Sequence, residues 1–128
     1  MEEKLEDAVK KLKKFDSVHS LLLFGSHAKG EADEQSDIDV CVVSQPEVEI
    51  DLDERLRMER DLDRDIDLSI LSELPLNLRH RVLVGGEILY TEDKLYIFQL
   101  LKQINLELPK YEKFREEYHE KTMEEVKT

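Results

Sequence analysis

Leu5, Ala8, Val9, Leu12 and Phe15 recur at the spacing of one helix face, which predicts an amphipathic helix over residues 3–15. Residues 18–24 are mostly apolar and read as a short buried strand. Residues 25–34 hold glycines and polar side chains and read as a turn with room for one helical turn. A second strand is predicted over 37–43, ended by Pro46. Residues 50–62 have helical spacing and many opposite charges. A third strand over 65–71 puts Ile66, Leu68 and Ile70 on one face and Asp65, Asp67 and Ser69 on the other. Pro75 opens a helix that runs to residue 84 and stops at Gly85-Gly86. A short strand over 87–90 follows. The next helix, 94–106, has Leu95, Phe98, Leu101 and Leu106 as its apolar side and is interrupted by Pro109. Residues 110–127 are polar, with sparse apolar positions at Tyr111, Phe114, Tyr118 and Val126. They read as a solvated helix or a partner-binding tail.

The expected fold class is therefore α/β (α+β): a small mixed β-sheet with flanking helices. It divides into a domain over residues 1–108 and a helical tail over 109–128. The chain has 128 residues, one domain's worth, enough for a core without covalent staples.

Charge narrows the partners. Asp and Glu number 31 against 19 Lys and Arg, a net charge of −12. Phosphate neutralisation needs clustered Lys and Arg, so direct nucleic-acid binding is not expected. A basic protein or a metal-bound nucleotide suits this surface better. The one cysteine, Cys41, excludes an intramolecular disulfide and fits a reducing cytoplasm. No apolar run approaches the roughly 20 residues of a membrane span, and the N-terminal MEEKLEDAVKK is unlike a signal peptide. A soluble, cytoplasmic protein with no membrane association is expected.

One feature of the second strand conflicts with simple burial. Asp37 and Asp39 share a face at its start, while Ile38 and Val40 face the core. Side-by-side carboxylates repel unless a cation lies between them, and hard oxygen ligands suit Mg²⁺ or Mn²⁺. A third carboxylate on an adjacent strand, Asp67, would complete a site for two metal ions of the kind that clamps both oxygens of a phosphoryl displacement. Periodicity alone does not choose between Asp65 and Asp67. Upstream, Gly25-Ser26 ends an apolar strand, where a glycine permits close backbone approach. The following amides and the Ser26 hydroxyl can donate to phosphate oxygens. Lys29 can add charge to the same phosphates. Each element alone has an ordinary reading: an acidic surface strand, a turn, a surface lysine. Their order along the chain carries the argument.

That order resembles the nucleotidyltransferases of the DNA polymerase beta type: a strand, Gly-Ser, a short gap, Asp-x-Asp on a second strand and a later acid. The segment GSHAKGEADEQSDIDVCVV is similar to the minimal nucleotidyltransferases of archaea and bacteria, as is DLSILSELPLNLRHRVLVGGEILY. The resemblance covers about residues 5–105. It departs at Gly85, where a polar residue is more usual, and in the C-terminal tail. It selects Asp67 as the third acid, with Asp65 as fallback.

The resemblance implies transfer of a nucleotidyl group from ATP to an acceptor hydroxyl. Asp37, Asp39 and Asp67 would hold two Mg²⁺ ions and do the catalysis, with Gly25, Ser26 and Lys29 binding the nucleotide. It further implies a HEPN-domain ribonuclease toxin as partner. The chain would then be the antitoxin of a type VII-like toxin–antitoxin pair and transfer AMP to a toxin tyrosine. Two alternatives remain: an antitoxin that works by complex formation alone, and a nucleotidyltransferase for a small molecule of aminoglycoside type.

Overall fold

The computed structural model describes residues 2–25 and 37–127. The described residues run α1 (Glu2–Leu12), β1 (Val18–Phe24), β2 (Ile38–Ser44), α2 (Leu52–Arg60), β3 (Ile66–Ile70), a 3₁₀ turn (Leu71–Glu73), α3 (Leu76–Gly85), β4 (Glu87–Thr91) and α4 (Lys94–Lys127). The strands form one mixed sheet in the order β3-β2-β1-β4. β1 pairs antiparallel with β2 and β4, and β2 pairs parallel with β3. The expected small mixed sheet with flanking helices is thus the observed one.

Both faces of the sheet are covered. On one face Leu21, Leu23, Ile38, Val40, Val42, Ile66, Leu68 and Ile70 form a core with Ala8 and Leu12 of α1 and Met58 of α2. On the other, Leu22, Cys41 and Val43 pack with Leu71, Val82 of α3 and Ile97 of α4. Double burial explains why β1 and β2 read as apolar runs and not as alternating strands. A polar chain crosses the second layer. His19 and Ser20 are buried, with Nδ1 of His19 2.6 Å from the Ser20 hydroxyl and that hydroxyl 2.8 Å from Thr91 Oγ1. The His19 ring also lies against Tyr96, with centroids 4.5 Å apart. These contacts tie β1 to β4 and to α4.

The helix ends follow local chemistry. The Asp51 side chain accepts from the Glu54 N–H at 2.8 Å, so α2 starts after Asp51 and not at Ile50. Acids Asp53 and Glu54 sit in its first turn and Arg57 and Arg60 in its last, favourably to the helix dipole. Pro75 caps α3, as expected. At its other end the Gly86 N–H bonds to the Val82 carbonyl at 2.8 Å. A Cβ on Gly86 would collide with that carbonyl and lie 3.2 Å from the Leu23 carbonyl, so only glycine lets α3 close against β1.

Two expectations for the last helix are corrected. Pro109 does not interrupt α4, which continues through it to Lys127. Proline removes one N–H from the helix ladder, leaving the Asn105 carbonyl without its i+4 donor. Asn105 and Pro109 are exposed, so water can take that place. The inward face of α4 is also not Leu95, Phe98 and Leu106. Ile97 and Ile104 are buried and Tyr96 and Leu100 pack beside them, whereas Leu95, Phe98 and Leu106 are 59%, 64% and 69% exposed. The helix carries apolar side chains on two sides, and the sheet takes only one.

Candidate active site

The C-terminal end of β1 and the N-terminal ends of β2 and β3 lie side by side, because β1 runs opposite to the other two. This sheet edge gathers the sequence-predicted acids. Asp37 directly precedes β2 and is exposed. Asp39, the second residue of β2, is half-buried. Asp39 pairs with Asp67 across the parallel β2–β3 ladder and with Phe24 across the antiparallel β1–β2 ladder. Asp67 is exposed on its strand, between buried Ile66 and Leu68. Alternation puts Asp39 and Asp67 on the face shared with Cys41, the side covered by α3 and α4.

Asp65 goes elsewhere. It lies just before β3, its N–H bonds to the Asp63 carboxylate at 3.0 Å, and its own carboxylate pairs with Lys4 of α1. The Lys4 ammonium holds the Asp65 carboxyl below the usual carboxylate range, through the hydrogen bond first and charge second. Asp65 therefore braces α1 against the start of β3, while its carbonyl accepts from the Ile38 N–H at 2.7 Å.

Gly25 follows β1 with φ +76°, in the left-handed region. A Cβ there would collide with Asp39 Oδ2 and lie 3.3 Å from its Cγ. The glycine is thus required twice, once for the turn and once for the carboxylate packed against it. Ser26 and Lys29 lie outside the described residues, as does the turn expected after Gly25.

The donor set fits Mg²⁺. It consists of hard carboxylates on rigid, adjacent strand ends, with a backbone that allows close approach. Among the described residues no three acidic, His or Cys side chains enclose a metal ion by themselves. Mg²⁺ is ordinarily held by one or two carboxylates together with substrate phosphates and water, not by a complete protein cage. When bound, such ions would supply Lewis-acid charge to attacking and leaving oxygens of a phosphoryl transfer.

Next to Gly25 lies a cavity of about 230 Å³ lined by Phe24, Leu74, Leu78, Arg81 and Val82 as well as Gly25. Sequence reasoning missed it. The only local signal was a helix, α3, whose arginines and apolar residues alternate without a clear inward stripe.

The polymerase beta nucleotidyltransferase family model matches residues 6–95. The chain belongs to that family. No curated protein matches it significantly. Its fold is that of a chain in a toxin–antitoxin complex crystallised with AMP-PNP, at TM-score 0.78 and 21% identity, covering 93% of this chain and 98% of that one. It is also similar to a chain of a tri-AMPylated Shewanella oneidensis HEPN toxin in complex with an MNT antitoxin (TM-score 0.74, 19% identity, 95% and 98% covered). A third similar chain comes from the MntA–HepT toxin–antitoxin pair (TM-score 0.71, 18% identity, 96% and 99% covered). This nucleotidyltransferase has no helix among its described residues long and apolar enough to cross a membrane.

Proposed function

We propose that this nucleotidyltransferase moves AMP from Mg²⁺-ATP to a hydroxyl group, and that the hydroxyl belongs to a tyrosine of a HEPN-domain toxin for which it is the antitoxin. The pairing of Asp39 with Asp67, with Gly25 packed on Asp39 from the other side, carries the chemical part of this reading. Asp37 and Asp39 would hold both Mg²⁺ ions, and Asp67 would stand nearest the acceptor. The acceptor oxygen bonds to the α-phosphorus, the bond from that phosphorus to the bridging oxygen of the leaving group breaks, and pyrophosphate departs. The hydroxyl proton passes to Asp67. Gly25, Ser26 and Lys29 would hold the terminal phosphates.

The partner part is supported by the relatives, one of which is an MNT antitoxin complex with an AMPylated HEPN toxin. The net charge of −12 suits a partner that is basic enough to bind RNA. We place part of the partner interface on the segment over residues 110–128.

Intact-mass measurement of the toxin after incubation with this protein, ATP and Mg²⁺ tests the reading. The expected result is a gain of one or more AMP units, lost with Asp37→Ala. A second reading, neutralisation by complex formation alone, draws on the exposed Leu95, Phe98 and Leu106, which offer a docking stripe without chemistry. An inhibited but unmodified toxin would favour it. An inert toxin alongside a nucleotidylated aminoglycoside-like compound would favour the small-molecule alternative.

A further inference from the structure

We propose that the cavity beside Gly25 seats the nucleobase of the nucleotide and that Arg81 at its edge binds phosphate; the proposal rests on the nucleotidyl-transfer reading and deepens it. At about 230 Å³ the cavity is smaller than the roughly 300–1,000 Å³ of a pocket for a whole drug-sized ligand. It suits one flat group of a larger molecule. Apart from Arg81 and the glycines it is lined by Phe24, Leu74, Leu78 and Val82, an apolar setting that favours an uncharged, planar occupant. A nucleobase is such a group, and it brings no charge into the neighbourhood of Asp37, Asp39 and Asp67.

Position singles out the base over an acceptor side chain. The strand order places Asp39 between Asp67 and β1, so the cavity at Gly25 lies on the opposite side of Asp39 from Asp67. The acceptor belongs with Asp67. Gly25 is both a wall of the cavity and the residue in contact with Asp39, so a base held there is joined through its ribose to a phosphate at that carboxylate.

The arginines of α3 divide their work. Arg79 donates to the Leu74 and Ser72 carbonyls at 2.7 and 2.9 Å and holds the entry to the helix. Arg81 is exposed, lines the cavity and makes no hydrogen bond or ion pair with another described residue. Its guanidinium is free to meet phosphate oxygens, for which its fork geometry is suited.

Calorimetric titration with Mg²⁺-ATP and with Mg²⁺-tripolyphosphate separates the two roles. Leu78→Trp fills the cavity. It should weaken ATP binding at least about tenfold, the loss expected for one stacked base, and leave tripolyphosphate within about twofold. Arg81→Ala should weaken both ligands alike. Circular dichroism checks folding, and Leu78→Phe serves if the tryptophan variant does not fold. An unchanged ratio of ATP to tripolyphosphate affinity in the filled variant overturns the base seat. So does unchanged ATP binding with lost modification of the protein acceptor, which would give the cavity to an acceptor side chain. Full tripolyphosphate affinity in Arg81→Ala overturns the arginine's role. A wild-type protein that binds neither ligand overturns the nucleotide reading itself, and this proposal with it.

Discussion

Gly25 has its α-carbon packed so closely on the Asp39 carboxylate that any side chain at residue 25 would displace one of the two. Backbone conformation and site geometry meet at this contact. Gly25→Ala should cost about 1–2 kcal/mol of stability from the left-handed backbone alone. It should also push Asp39 off its position and weaken Mg²⁺-ATP binding more than the stability loss explains. Thermal unfolding and calorimetry on the same sample check both; intact nucleotide binding in the variant would detach Gly25 from the site.

Asp39→Asn should leave the fold intact, since it removes like charge from an acidic sheet edge. Mg²⁺-dependent ATP binding should fall by about tenfold or more, as for loss of a charged ligand group. Equal affinities in the two proteins would remove Asp39 from the metal assignment.

The two acids of β3 and its approach should separate cleanly. Asp67→Asn is expected to abolish transfer with little change in the unfolding temperature. Asp65→Asn should loosen the Lys4 contact and leave transfer near normal, since an ion pair open to solvent is strongly screened and contributes little to stability. The reverse pattern in a transfer assay would make Asp65 the third acid.

Burial pushes the Cys41 thiol from an ordinary 9.0 up to about 12. The folded protein therefore holds this proton more tightly than the unfolded chain. The stability this contributes is complete below about pH 9 and is lost as pH rises toward 12. Iodoacetamide at pH 8 should alkylate Cys41 only after denaturation. Above pH 9 the unfolding midpoint should fall more steeply for the wild type than for Cys41→Ala.

Phe98 is 64% exposed on the side of α4 away from the sheet. Phe98→Glu should change stability by no more than about 0.5 kcal/mol. ATP affinity should stay the same, while on the proposed reading co-purification with a HEPN-domain toxin falls sharply. A complex of unchanged stability would exclude this stripe from the interface.

The element pattern was legible in the chain because it rests on local signals. Apolar runs marked β1 and β2, strict alternation marked β3, and Pro75 and Gly86 bounded α3. The expectation about the acids rested on the same kind of signal, alternation along the backbone; in the structure Asp39 stands opposite Asp67, while Asp37 directly precedes β2. Choosing between Asp65 and Asp67 was different. Both sit on the same parity, so periodicity could not separate them; the family resemblance favoured Asp67, and in the structure Asp67 stands opposite Asp39 while Lys4 of α1 takes Asp65. The inward face of α4 was likewise undecidable locally, since both sides of that helix carry apolar residues and burial is assigned by whatever packs against it. Pro109 misled because a proline deletes one hydrogen bond, and a long helix with an exposed defect can bear that loss. The cavity beside Gly25 forms where Leu74 and the length of α3 meet the end of β1, a contact between segments far apart in the chain. Periodicity carries what neighbours along the backbone impose, and tertiary structure decides which of several permissible faces finds a partner.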